Sequence, residues 1–221
     1  WVTTLQQRYE AQAGAVRAEG VIEGVPDPGS QGAHPPPEGT LATWRESGRV
    51  SSPDGARVAF LEARDGTRNV VIARSDGSET TKLTHFDDGT WMQALDWSPD
   101  GSHLVVAMYR NGQQDLYVLG ADGSDARPIT SDGWEELDPA WEADGRIYYR
   151  SDEGGIPNIW AYDPASRSRW QITHVIGAAA APSLAPEGDL LYLRANADGW
   201  EPYRVPATQV GPGAREAPVS L

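Results

Sequence analysis

With 18 Lys and Arg against 32 Asp and Glu over 221 residues, the chain has a formal net charge of −14. That speaks against nucleic acid, whose binders present basic patches, and against an anionic membrane surface. It has no cysteine, which excludes disulfides, thiolate metal sites and a Cys nucleophile, and no run approaches the roughly 18 apolar residues of a membrane span.

The chain begins at Trp1 and not at Met. Its natural start is therefore expected upstream, and the lack of a visible signal peptide carries no information on export. In residues 1–24, Val2, Leu5, Tyr9 and Ala13 recur at helical spacing. They predict a short connector helix, in one reading the tail of a preceding domain, although Gly14 and Gly20 weaken it. Residues 25–39 are rich in Pro and Gly and read as a linker. His34 in this stretch is expected in solvent.

From residue 40 the chain repeats itself. Ser52-Pro53-Asp54-Gly55 recurs as Ser98-Pro99-Asp100-Gly101, then as Trp141-Glu142-Ala143-Asp144-Gly145, then as Ala185-Pro186-Glu187-Gly188. The endings agree as well: Leu83-Thr84, Ile129-Thr130 and Ile172-Thr173. Leu41-Ala42-Thr43 reads as the tail of an earlier unit and Pro218–Leu221 as the tail of the last. A period in the forties with about four strands per unit is the pattern of a β-propeller blade. Arg57–Leu61, Leu104–Tyr109, Asn158–Tyr162 and Asp189–Leu193 are apolar on both faces, as strands between two packed neighbours must be. The turn residues Pro53, Asp54, Gly55, Pro99, Asp100, Gly101, Asp144 and Gly145 carry a structural reading: Pro sets φ entering the turn, and Gly tolerates positive φ. The expected fold is all-β, with four recognisable four-stranded blades at about 49–84, 95–130, 140–173 and 182–221, as part of a six- or seven-bladed ring. Four blades of ordinary width leave outer sheet faces and edges that chains normally cover, so the remaining blades are expected from further sequence or from another chain, the alternative being a true four-bladed ring.

The Trp-Ser-Pro-Asp-Gly segment, the strand after it, the Asp-Gly-Ser turn at 122–124 and the Leu-Thr or Ile-Thr ending resemble the TolB-type, WD-like propeller repeats of bacterial envelope and peptidase-associated proteins. The resemblance covers roughly residues 41–221. It implies a non-catalytic scaffold for protein–protein interaction in a periplasmic or secreted protein. The alternative it implies is an accessory propeller of a larger peptidase whose catalytic domain lies outside these residues. A third reading is a propeller enzyme acting on carbohydrate.

Three connections between blades carry the chemistry: His85–Met92, Ser131–Leu137 and His174–Ala180. Loops on a rigid scaffold are where function concentrates. Asp87, Asp88, Trp91, Asp132, Trp134, Glu135 and Glu136 are the candidate contacts to a protein partner. The carboxylates suit a cationic partner or, more weakly, Ca²⁺; no other cofactor is expected, and the alternative for them is solvated loop acids. Trp91, Trp134 and Trp200 read either as aromatic anchors or as packing between blades. His85 and His174 hold equivalent repeat positions, which accounts for them without a ligand role. No Gly-x-Ser-x-Gly elbow, His-Glu-x-x-His pair or P-loop is present, so no catalytic residue is expected here.

Overall fold

The computed structural model describes residues 49–197 and 199–213, with the backbone of 219–220. The expected connector helix, the Pro/Gly linker and the strand remnant at 41–43 lie outside the described residues. Within them are four antiparallel sheets of four strands, each a simple meander. The first holds β1 (Val50–Ser51), β2 (Arg57–Arg64), β3 (Thr67–Arg74) and β4 (Thr81–Lys82). The second holds β5 (Trp91–Trp97), β6 (His103–Arg110), β7 (Gln113–Gly120) and β8 (Arg127–Pro128). The third holds β9 (Glu136–Trp141), β10 (Ile147–Ser151), β11 (Asn158–Asp163) and β12 (Ser168–Gln171). The fourth holds β13 (Ala178–Leu184), β14 (Leu190–Asn196), β15 (Gly199–Val205) and β16 (Val219–Ser220), so the chain end supplies the last outer strand.

Each sheet stacks on the next, as the strand patterns require. In β6 the side chains of Leu104, Val106 and Met108 join the cluster shared with the first sheet, while Val105 and Ala107 join the cluster shared with the third. Tyr148 and Tyr149 divide in the same way between the fourth and the second sheet. Both are fully buried, and a large side chain removed from water contributes roughly 1.5–3 kcal/mol. The two end sheets carry apolar outward faces too: Phe60, Val71 and Ala73 on the first, and Ala185, Leu191 and Leu193 on the fourth. All six are buried.

The Ser-Pro-Asp-Gly turns lie between the first and second strand of a sheet and do not open it. The inner strands therefore start at Trp91, Glu136 and Ala178, about four residues before the spans drawn from the repeat. Each of these strands carries a register irregularity near its middle, opposite Met108–Ala107, Tyr148–Arg150 and Leu193–Leu191 respectively. In the first two sheets a two-residue hairpin joins the second strand to the third, whereas residues 152–157 form the longer loop of the third sheet. Asp65-Gly66 (φ 50° and 78°) and Asn111-Gly112 (φ 54° and 83°) close the two hairpins, the backbone that matches strand twist. Side chains tie neighbouring sheets together. Trp97 Nε1 donates to Val50 O at 3.0 Å, Trp141 N donates to Asp96 Oδ2 at 3.0 Å, and Leu184 N donates to Glu142 Oε1 at 2.9 Å.

Candidate functional site

A four-stranded meander has two ends. One gathers the first-to-second and third-to-fourth turns. The other gathers the second-to-third hairpins and the connections to the next sheet; it is termed here the loop face. Among the described residues the large exposed hydrophobics are Trp91, Tyr109, Trp134, Ile156, Ile176 and Trp200. All six fall on the loop face: in the connections (Trp134, Ile176), in a second-to-third loop (Ile156), or within two residues of such an end in β5, β6 and β15. Ile176 is 86% exposed at the tip of its connection.

The connection from β4 to β5 is built from the repeat's polar bonds. Asn69 Oδ1 accepts from the Thr84 hydroxyl at 2.9 Å and from Phe86 N at 2.8 Å, and Thr84 Oγ1 accepts from Val70 N at 2.9 Å. This buried trio pins the start of the loop. Further along, Gly89 N donates to Thr67 Oγ1 at 3.0 Å, and Asp88 accepts from Thr90 and, at 3.1 Å, from Arg110. The Thr90 hydroxyl, ahead of the Arg110 charge, holds the Asp88 carboxyl below its ordinary range. Arg110 also lies over Phe86 at 4.8 Å, and Arg68 lies over Trp91 at 3.7 Å. Arg68 is itself anchored on Met92 O at 2.9 Å. Trp91 is thus a 36% exposed ring with a guanidinium on one face, a rigid aromatic of the kind that anchors interfaces.

The connection from β8 to β9 repeats the scheme with other residues. Leu116 N donates to Thr130 Oγ1 at 2.8 Å, as Val70 N does to Thr84, but the partner of Thr130 is Asp115, at 3.3 Å. Asp132 accepts from Trp134 N at 3.1 Å and pairs with Arg169 at 2.8 Å; Arg169 in turn pairs with Glu153 at 3.1 Å. Glu135 N donates to Asp152 Oδ1 at 2.8 Å. Trp134 stands 39% exposed above this network. Glu136 does not belong to the surface. It is the first residue of β9 and 0% exposed, accepting from the Ser151 hydroxyl at 3.1 Å. Burial is the largest influence on it and pushes its carboxyl up to about 7. Burial likewise raises Asp115.

The seven candidate residues fall into two groups. Asp87, Asp88 and Trp91 lie at the seam of the first and second sheets, and Asp132, Trp134 and Glu135 at the seam of the second and third; Glu136 is withdrawn beneath the latter. Trp200 stands on the same face on β15. Trp97, Trp141 and Trp170, by contrast, tie sheets or loops together through their backbone or ring nitrogens. His85 and His174 are exposed. Among the described residues no group of three or more His, Asp or Glu sits at metal-binding spacing. Asp115 was not singled out in the sequence. Its signal was present: Asn69, Asp115 and Asn158 each stand 15 residues before the closing Thr of their unit.

The Asp residues of the first-to-second strand turns bond to nearby hydroxyls. Ser52 and Ser98 donate to Asp54 and Asp100 at 2.6 Å, and the Tyr148 hydroxyl donates to Asp144 at 2.7 Å.

Residues 49–210 match the family model described as the TolB beta propeller domain. No curated protein sequence matches the chain. Solved structures match in fold. A putative TolB from Agrobacterium tumefaciens is 20% identical with a TM-score of 0.67, over 82% of this chain and 66% of that one. TolB from Acinetobacter baumannii is 16% identical with a TM-score of 0.64, over 80% and 44%. A Mycobacterium tuberculosis puromycin-hydrolyzing peptidase is 17% identical with a TM-score of 0.61, over 78% and 28%. The chain thus spans less than two thirds of each of these proteins.

Proposed function

The chain belongs to the TolB beta propeller family, and on that premise we propose that it is a non-catalytic scaffold that binds a protein partner through its loop face. The observation that carries this reading is the segregation of all six large exposed hydrophobics to that one end. Scattered exposed apolar residues need no explanation, but a one-sided set with aromatic anchors marks an interaction surface. Trp91 and Trp134 are the anchors, with Asp87, Asp88, Asp132 and Glu135 as a polar, acidic surround that favours a cationic partner surface.

The setting proposed is a bacterial periplasmic or secreted protein, in keeping with the TolB relatives. No helix among the described residues is long and apolar enough to cross a membrane. Cell fractionation with an antibody against the chain tests the compartment, and a purely cytoplasmic signal refutes it. The interaction itself is tested by a photo-crosslinking residue at Trp200. A discrete protein adduct that disappears on Trp91→Ala/Trp134→Ala, while a probe at Asp76 on the opposite end gives none, is the expected result. Equal adducts with and without the two Trp refute the loop assignment.

A second reading has its own support, since peptidase propellers match the fold. In it the chain is the accessory propeller of a larger peptidase and positions substrate for a catalytic domain elsewhere. An immunoblot of the source cells separates the two: a band well above the mass of 221 residues, carrying hydrolase activity, favours the peptidase.

A further inference from the structure

Glu136 and Asp115 depart from the repeat at the same seam. Register places Glu136 opposite Ser151, and the same place in the second sheet holds Met92 opposite Met108, while the fourth sheet has Ala179. Met92 and Ala179 are fully buried. The fold therefore accepts an apolar side chain there, and a carboxylate gives up its solvation for no structural return. Asp115 stands where the first and third sheets have Asn69 and Asn158. Those amides donate as well as accept: Asn69 Nδ2 to Phe86 O at 3.0 Å and Asn158 Nδ2 to Ile156 O at 3.1 Å. An ionised Asp accepts only.

The two acids meet across Thr130. Its single hydroxyl hydrogen lies between Asp115, at 3.3 Å, and Glu136, and can serve only one of them at a time. Glu136 receives Ser151 on Oε1, and its Oε2 has no hydrogen-bond partner. Other ionisable groups face the seam from each packed element: Tyr117 from β7, Asp132 from the β8–β9 connection, Tyr149 from β10, Glu153 from the β10–β11 loop and Arg169 from β12. The Arg169 cation is already shared between Asp132 and Glu153. The seam thus holds more buried carboxylate than positive charge, and a proton is what completes it.

We propose that a proton held in the Asp115–Thr130–Glu136 seam latches the connection 129–135, so that Trp134 is fixed when the seam is protonated and released when it is not. Trp134 hangs on Asp132, and Asp132 on Arg169, so a new negative charge on Glu136 acts directly on the groups that position the ring. With Glu136 pushed up to about 7, release falls near neutral pH, the two acids titrating as a pair. The mechanism stands on the seam alone; its consequence, weaker partner binding as pH rises through neutrality, rests on the proposed interaction face.

Hydrogen exchange on the full chain at pH 6 and pH 8, corrected for intrinsic base catalysis, tests the latch. Backbone amides of 129–136 are expected to lose protection by about tenfold at pH 8, the scale of one pH unit past the midpoint, while 172–177 stays unchanged. Glu136→Gln removes the difference. Equal protection at both pH values in the unaltered protein, or the same pH dependence in Glu136→Gln, overturns the proposal. Should that variant not fold, Asp115→Asn, which installs the residue of the two sister sheets, takes its place: loss of the pH difference supports the latch, and its persistence overturns it. Unchanged crosslinking in Trp91→Ala/Trp134→Ala refutes the interaction face and leaves the exchange result standing; a flat exchange profile with Trp-dependent crosslinking refutes the latch alone.

Discussion

The two ends of the blade array are made from the same repeat and solve their electrostatics in opposite ways. At the turn end four acids of the tight turns are satisfied by their own neighbours. Asp54, Asp76, Asp100 and Asp122 accept from hydroxyls or backbone N–H groups two residues away. All four are held below the ordinary carboxylate range, chiefly by the adjacent Ser hydroxyl, Asp100 down to about 2. These carboxylates are occupied, exposed and local. At the loop end Asp88 and Asp132 also accept locally, but further polar bonds reach across 15 residues or more, and the two buried acids of the second seam, Asp115 and Glu136, are pushed upward. A structural turn needs only its own residues, whereas a surface that presents aromatics must be held from behind by long-range contacts.

The sharpest test sets a buried long-range bond against an exposed local one. Asn158→Ala strands the Thr173 hydroxyl and Val175 N. Buried groups left unpaired cost about 1–3 kcal/mol, and with two affected the loss expected in urea denaturation is about 3 kcal/mol. Next comes Trp91→Ala/Trp134→Ala, for which a loss of about 30-fold in partner affinity is expected, the level of an interface anchor. An Asp76→Ala/Asp122→Ala control at the turn end should leave affinity unchanged; a comparable loss there would erase the distinction between the ends.

Glu136→Gln should raise stability by roughly 2 kcal/mol at pH 8, less than the full displacement from 4.5 to about 7 corresponds to, because the buried amide brings N–H groups that need partners. The sign follows from its raised pKa. Between the unfolded value near 4.3 and about 7 the folded protein binds the extra proton, so stability falls as pH rises through this window. The gain should vanish near pH 4, where both states are protonated, and thermal melts across pH 4–8 measure it. The smallest effect is expected for Asp100→Asn. The depressed carboxyl contributes stability above about 3.9 that is lost as pH falls toward 2. Solvent screening at this exposed site keeps it below about 1 kcal/mol, visible as a shallower acid limb.

Much of this molecule was readable without coordinates. The recurrence of Asp-Gly turns and Leu-Thr endings specifies meanders of fixed length. The two-sided apolar strands specify that sheets stack, because no half-exposed sheet tolerates Val105 and Val106 side by side. That Trp91 and Trp134 stand beside polar connections was legible, but whether they face solvent or pack between blades was left to the fold. Where each sheet begins was not legible, because the Ser-Pro-Asp-Gly turn is the loudest signal in the unit yet sits one strand inside it. Nor could sequence separate Glu135 from Glu136. They are adjacent acids, but the first ends the exposed connection and the second begins β9 inside the seam, and only the packing of β9 against β6 and β7 fixes which is which. The pairing of Asp115 with Glu136 is likewise a product of the tertiary fold: 21 positions apart in the chain, they meet only because the sheets stack, and burial there, not residue identity, sets their affinity for a proton.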